Sequence, residues 1–329
     1  MPAKPHAVVT GGAGFIGSHL VERLLADGEA VTVVDDCSTG NLENLNRVAG
    51  HADLSIVRSK VSECADLSQI VGQAQAVYHL AAAVGVELVV NSPLHVMRTN
   101  LHETEVLLNA AAASRTSVLL ASTSEVYGKS QKTAFTEDDD LLIGPPQHGR
   151  WSYACSKLMD EFLALAYGRE HALPVTIARL FNTVGPRQTG RYGMVLPRFI
   201  AAARAGTPLR VYDDGRQTRC FCYVADTVEA LVRLQRCPTA RGQVFNVGGT
   251  EEISIGDLAR QVVEILESSS ALEYVSYNDA YAPGFEDMRR RKPVVEKLFN
   301  ATGFRPETSL KAIITLTAAF GKGGSAAPN

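Results

Sequence analysis

Thr10-Gly11-Gly12-Ala13-Gly14-Phe15-Ile16-Gly17 stands between an apolar run at 7–9 and an amphipathic stretch at 18–25. Strand, glycine turn and helix in immediate succession open a βαβ unit, and that is the strongest constraint on this chain. Gly11 permits the tight turn, Gly14 lets the backbone approach a pyrophosphate at the helix N-terminus, and Gly17 lets the helix pack closely on the strand. The spacing is G-x-x-G-x-x-G, not the G-x-G-x-x-G of ordinary dehydrogenases. A second apolar strand at 30–34 ends in Asp35, 24 positions after Gly11. An acidic residue there would hydrogen-bond a ribose 2′-hydroxyl, and no arginine directly follows to receive a 2′-phosphate, so the expected cofactor is NAD and not NADP. A lone glycine triplet is more often an ordinary turn; the flanking strand, helix and Asp35 reverse those odds.

Apolar strand candidates recur at 7–9, 30–34, 54–57, 76–80, 118–121 and 175–178, and helical patterns fall at 16–26, 66–73, 94–113, 153–171, 194–205, 224–236 and 254–268. This alternation predicts an α/β fold, a Rossmann-type doubly wound parallel sheet, with ligands bound beyond the carboxyl ends of the strands. Past residue 180 the segments shorten and become rich in Arg, Gly and Pro. The expected division is a cofactor domain over 1–178, with 218–246 returning to it, and a smaller C-terminal α/β substrate-binding lobe from 179–217 and 247–320. Residues 321–329 have too little apolar content to pack and read as a disordered tail.

At 329 residues the chain can bury a large core, and a net charge of −3 gives no global attraction to nucleic acid or anionic membrane. No apolar run approaches the roughly 20 residues of a membrane span. The six cysteines form no C-x-x-C pair, and the N-terminus shows no signal segment, which suggests reduced thiols in a cytoplasm. Cys220 and Cys222 would share one face of a single strand, but further ligands are lacking and no metal is expected.

Tyr153 and Lys157 lie four residues apart, on one face of a helix. The lysine charge, assisted by an oxidised nicotinamide, would stabilise tyrosinate, and such a tyrosine could take a sugar hydroxyl proton while hydride leaves the same carbon. Alone, the pair is more often a surface tyrosine beside a lysine. Its value comes from Ser122-Thr123-Ser124-Glu125 immediately after the apolar strand, where hydroxyls and a carboxylate would face the cofactor crevice; by themselves these are equally turn or cap residues.

Together these residues resemble the extended short-chain dehydrogenase/reductases that act on nucleotide sugars. The resemblance spans about residues 6–315 and includes His79-Leu80-Ala81-Ala82, Asn100, Tyr153/Lys157, Arg179-Leu180-Phe181-Asn182, Gly185-Pro186-Arg187, and Val211-Tyr212 ahead of Gln217-Thr218-Arg219. It implies a C-terminal lobe that holds a nucleoside diphosphate sugar, and a homodimer joined by helices. It places NAD along Gly11, Gly14, Phe15, Ile16, Gly17, Asp35, Leu80, Ala81, Ala82, Asn100, Tyr153 and Lys157. Asn182, Arg191, Tyr212 and Arg219 would bind the UDP-sugar, with Arg187 as either a diphosphate ligand or a structural residue. His79, a lone histidine in an apolar run, reads as a packed residue.

Within that family, 4,6-dehydratases carry Asp-Glu where this chain has Ser124-Glu125, and 4-epimerases usually lack the glutamate. Thr-Ser-Glu-Val-Tyr-Gly is similar to the UDP-glucuronate decarboxylases, as are Arg291-Lys292-Pro293 and the preceding Gly284-Phe285-Glu286-Asp287. The run from Gly144 to Arg150-Trp151 is similar to the oxidative decarboxylase domain of the lipid A aminoarabinose pathway. The resemblance therefore implies oxidation of C4 by NAD and loss of carbon dioxide from the resulting β-keto acid, giving UDP-xylose, a UDP-4-keto-pentose or both. Tyr153 would be the C4 base and Lys157 its support, with Thr123 or Ser124 on the C4 oxygen. Glu125 would stand near the departing carboxylate or a water that reprotonates C5, and Arg291 would bind the carboxylate or donate through that water. By itself Arg289-Arg290-Arg291-Lys292 reads as a solvated basic run, and the neighbouring family motif reverses that for Arg291. The alternatives are a 4-epimerase, a 4,6-dehydratase, or a non-catalytic dinucleotide-binding regulator. Two departures stand out: Ser59-Lys60-Val61 where an acidic residue commonly contacts adenine, with Glu63 or backbone as substitutes, and Glu103 where glycine is usual, expected to affect helix packing.

Overall fold

In a computed structural model of the chain, residues 4–190, 194–276 and 288–320 are described. The first half alternates as its apolar runs predict: β1 (His6–Thr10), α1 (Phe15–Ala26), β2 (Ala30–Val34), β3 (Leu54–Val57), α2 (Leu67–Gly72), β4 (Ala76–His79), α3 (Val86–Asn91), α4 (Pro93–Ser114), β5 (Ser117–Thr123), α5 (Ser152–Glu170) and β6 (Val175–Leu180). β5 and β6 outrun their apolar stretches because their polar ends stay in register, Ser122 opposite Arg179 and Thr123 opposite Leu180. Polar side chains are thereby carried to the rim of the sheet.

In the second half, β7 (Thr183–Val184), α6 (Val195–Ala205), β8 (Leu209–Tyr212), β9 (Thr218–Cys220), β10 (Cys222–Tyr223), α7 (Val224–Arg236), β11 (Gln243–Val247), β12 (Glu252–Ser254), α8 (Ile255–Ile265) and β13 (Leu272–Val275) follow, then helices Glu296–Thr302 and Leu310–Phe320. β11 pairs parallel to β6 and completes a seven-stranded sheet of order β11-β6-β5-β4-β1-β2-β3. The order reverses at β1/β4, which opens the crevice where such sheets bind ligands. Cys220 and Cys222 are both buried but belong to two strands, not the expected one, because β9 pairs antiparallel with β12 while β10 pairs parallel with β7.

One apolar core joins α1 and α7 to a face of the sheet through Leu20, Leu24, Val228 and Leu231; another joins α2, α4 and α5 to the opposite face through Val71, Leu107, Leu108 and Ala164. A third, separate core packs α6, β8, α8 and Leu310–Phe320 around Phe199, Val211, Leu258 and Ile314. A further apolar cluster gathers Tyr127, Phe135, Trp151 and Phe181. Among the described residues no helix is long and apolar enough to cross a membrane.

Candidate active site

The glycine turn is too crowded for side chains. A Cβ on Gly17 would come 2.1 Å from the Gly11 carbonyl oxygen, and Gly11 itself, at φ +72°, would press one against the Ala81 amide at 2.8 Å. The N-terminus of α1 has no side-chain cap and no acidic residue in its first turn, so the positive end of its dipole stays open to an anion. Asp35, buried at the end of β2, accepts from the Ala13 and Cys37 amides, both at 2.8 Å, although burial raises its pKa. Phe15 and Ile16 begin α1 and pack on its core. Leu80, Ala81 and Ala82 follow β4, with Leu80 and Ala81 tied to Thr10. A crowded turn, an open helix end and a carboxylate at the strand tip together fit a dinucleotide.

Asn100 takes a supporting place. Its Oδ1 accepts from the Ala83 amide at 2.7 Å, and its Nδ2 donates to Ala83 O and Ser156 Oγ. It thus braces the segment after β4 against α5. His79 is fully packed as its apolar context suggests, yet both ring nitrogens are engaged, Nδ1 with Thr10 Oγ1 at 2.7 Å and Nε2 with Thr104 Oγ1 at 3.1 Å. Burial, then the Lys157 charge, lowers its pKa to about 3, so the imidazole is neutral. Glu103 does more than fill a helix interface: it accepts from the Ser62 amide and hydroxyl, anchoring the loop after β3 to α4.

Tyr153 and Lys157 share the buried face of α5. Burial pushes the Tyr153 phenol up, and so do Glu125 and Asp160, whereas the Thr123 hydroxyl and Arg291 favour its ionised form. Thr123, at the end of β5, also accepts from the Glu125 amide at 3.2 Å and so shapes the turn that carries Ser124 and Glu125. Ser124 is buried.

Glu125 is clamped between two guanidinium groups. Arg150 Nη1 donates to its Oε2, and Arg291 Nη2 to its Oε1 at 3.2 Å. Burial would raise its pKa, but Arg150 and then Arg291 outweigh that and bring it down to about 2. The two guanidinium groups thus favour the ionised form of Glu125, and with it the three side chains carry one net positive charge. Arg150 escapes a sequence reading of site residues because its partner is far along the chain; its place three residues before Tyr153 was the available signal.

A single cleft brings Glu125, Tyr153, Asn182, Tyr212, Arg219 and Arg291 together, and adds Arg150, Gln188 and the apolar Val84, Val89 and Met194. Asn182, at φ +28°, donates to Cys220 O at 3.0 Å. Tyr212 accepts from Arg198 at 2.6 Å, and Arg219 donates to Thr218 O. Arg187 is engaged with α1, where it bonds Ser18 and Glu22. Arg191, Gly284-Phe285-Glu286-Asp287 and the 321–329 tail lie outside the described residues.

Residues 8–317 match the family model described as GDP-mannose 4,6 dehydratase. The chain is 41% identical over 307 residues to a UDP-N-acetyl-alpha-D-glucosaminuronate decarboxylase of Bacillus cytotoxicus, covering 93% of this chain and 94% of that one. It is 34% identical to UDP-glucuronic acid decarboxylase 3 of Arabidopsis thaliana, over 92% of this chain and 85% of the relative. Among solved structures it is similar to a UDP-glucuronic acid 4-epimerase from Bacillus cereus in complex with UDP-glucuronic acid and NAD, with TM-score 0.86 and 28% identity over 96% and 99% of the two chains. Crowded glycine turn, Tyr153/Lys157 pair and full-length matches agree: the chain belongs to the extended short-chain dehydrogenase/reductase family that the GDP-mannose 4,6 dehydratase model describes.

Proposed function

We propose that the protein is an NAD-dependent decarboxylase of UDP-glucuronate, releasing UDP-xylose, the UDP-4-keto-pentose or both. The observation that carries this reading is Glu125 held as a carboxylate by Arg150 and Arg291 beside Tyr153. A dehydratase needs an acid beside its base to protonate the departing hydroxyl; Ser124 stands where the dehydratases carry Asp, and Glu125 is committed to two arginines. A net positive cluster instead suits a substrate carboxylate.

NAD, when bound, supplies the hydride acceptor. Tyr153 takes the proton of the C4 hydroxyl as hydride leaves C4, with Lys157 stabilising the phenolate and Thr123 bonded to it. The C4 ketone is β to the C6 carboxylate, so the C5–C6 bond breaks, its electron pair enters an enolate and carbon dioxide leaves. Arg291, with Arg150 behind Glu125, orients that carboxylate, and water then delivers a proton to C5. Return of the hydride to C4 and of the Tyr153 proton to the C4 oxygen gives UDP-xylose, and release before that return gives the UDP-4-keto-pentose with NADH. Glu125 serves as a fixed anchor for the two arginines. Asn182, Tyr212, Arg219 and Arg191 hold the UDP.

A second reading concerns the sugar. The 41% identity to a relative named for the 2-acetamido uronate supports that sugar as the alternative substrate. Mass spectrometry of nucleotide sugars after incubation with NAD and each UDP-uronate, with NADH absorbance in parallel, tests both. Loss of carbon dioxide is the expected result; an unchanged mass with an inverted centre makes the protein an epimerase. Tyr153→Phe should abolish turnover and spare NAD binding.

The proposed division of labour gives NAD to residues 1–178 and 218–246, and the UDP-sugar to 179–217 and 247–320. We also propose a cytoplasmic homodimer. Cys155, Met159 and Phe162 form an exposed stripe along α5, with Met159 49% and Phe162 59% accessible, and Leu94 at the start of the adjoining α4 is 56% accessible. An apolar stripe on two packed helices supports pairing with a second copy.

A further inference from the structure

Lys157 has a dedicated counter-charge. Its ammonium donates to Asp160 Oδ2 at 2.8 Å, three residues further along α5, and both side chains are withdrawn from water. Asp160 is 0% exposed, and its Oδ1 makes no hydrogen bond. The neighbouring Glu161 is engaged elsewhere, with Arg179 and Ser122. Across the interface, Thr104 of α4 favours the charged form of Asp160, and the same hydroxyl meets the neutral His79 of β4.

A fully buried carboxylate with a hydrogen-bonding site left over is a poor stabiliser: desolvation cancels most of what the ion pair contributes, and an apolar pair of equal volume does as well or better. Its value here lies in where the charge stands. Around the Tyr153 phenol, Thr123 and Arg291 favour the ionised form, while Glu125 and Asp160 oppose it. Glu125 belongs to the arginine clamp. Asp160 acts on the lysine itself.

We propose that Asp160 is a positioning residue of the reaction: it holds the Lys157 ammonium on the buried face of α5, and its negative charge raises the pH above which Tyr153 works as a base. This rests on Tyr153 being the base in the reading above. With the carboxylate gone, the ammonium acts on the phenol uncompensated, tyrosinate forms more readily, and the working range extends to lower pH.

The test uses full-length protein loaded with NAD. In Asp160→Asn the acid limb of kcat/KM for the UDP-uronate turned over should move down by about one pH unit, while Asp160→Glu, which keeps the charge, leaves it in place. Tyrosinate difference absorbance, with Tyr153→Phe as the blank against the other tyrosines, should show the same shift without turnover. If neither UDP-uronate is consumed, the proposed function fails and the absorbance titration still decides the role of Asp160. Should Asp160→Asn not fold, Asp160→Thr replaces it as a neutral hydrogen-bond acceptor. An unmoved or raised limb in the neutral variant, or equal shifts in the Asn and Glu variants, overturns the proposal.

Discussion

Arg150 and Glu125 form a largely buried ion pair across 25 residues of sequence, tying the entry of α5 to the turn after β5. Removing Arg150 leaves Glu125 with Arg291 as its remaining partner, so the loss should stay below the cost of a fully stranded buried charge, about 3–5 kcal/mol. Arg150→Met should lower the urea midpoint accordingly. Because Arg291 then meets Glu125 without competition, substrate placement suffers and kcat should fall about 100-fold. Arg150→Lys keeps the charge and should recover part of both losses. Unfolding curves and steady-state kinetics on the two variants check this, and wild-type kcat in Arg150→Met would refute the role.

His79 makes stability depend on pH. Its folded pKa, about 3, lies below the unfolded 6.5. Between those values the unfolded chain takes up a proton that the folded chain refuses, so stability is full above pH 6.5 and declines as pH falls. The slope is about 1.4 kcal/mol per pH unit. His79→Gln should flatten it, as read from urea midpoints at neutral and mildly acidic pH. Equal slopes in both proteins would contradict the assignment.

Gly17 and Gly14 should respond differently to alanine. At Gly17 the added Cβ meets the Gly11 carbonyl at 2.1 Å, and at Gly14 it meets the same oxygen at 3.1 Å. The first forces the turn away from α1 and should weaken NAD about 100-fold by calorimetric titration; the second should cost about tenfold. Similar losses at both positions would mean that the turn yields more readily than its geometry implies.

The exposed stripe on α5 can be tested by charge. Phe162→Glu, at a position 59% accessible, should leave folding intact and convert the proposed dimer to monomer in light scattering. A wild-type protein that is already monomeric removes the dimer.

Much of the nucleotide half was legible in the sequence because its determinants are local. Glycine spacing, apolar runs and the four-residue interval from Tyr153 to Lys157 each lie within one element. The remainder depends on contacts between distant residues. Arg187 reads either as a diphosphate ligand or as a structural residue, and its bonds to Ser18 and Glu22 are visible only in the fold. Glu103 marks an oddity in α4, and only the fold shows its carboxylate holding Ser62. Arg150 belongs to the same class, since no periodicity connects it to Glu125. Asp160 carries no signal in the sequence, since an aspartate three residues after a lysine is ordinary on a solvated helix; its burial gives it meaning.

The strand β11 has a consequence for protein engineering. It comes from late in the chain yet lies against β6 in the parallel sheet, so the polypeptide enters, leaves and re-enters the nucleotide-binding layer. The proposed sugar-binding half is therefore not a cassette. A chimaera spliced once near residue 180 would pair β6 with a strand from a foreign parent, and exchanging sugar specificity between relatives requires at least two junctions, one on each side of β11.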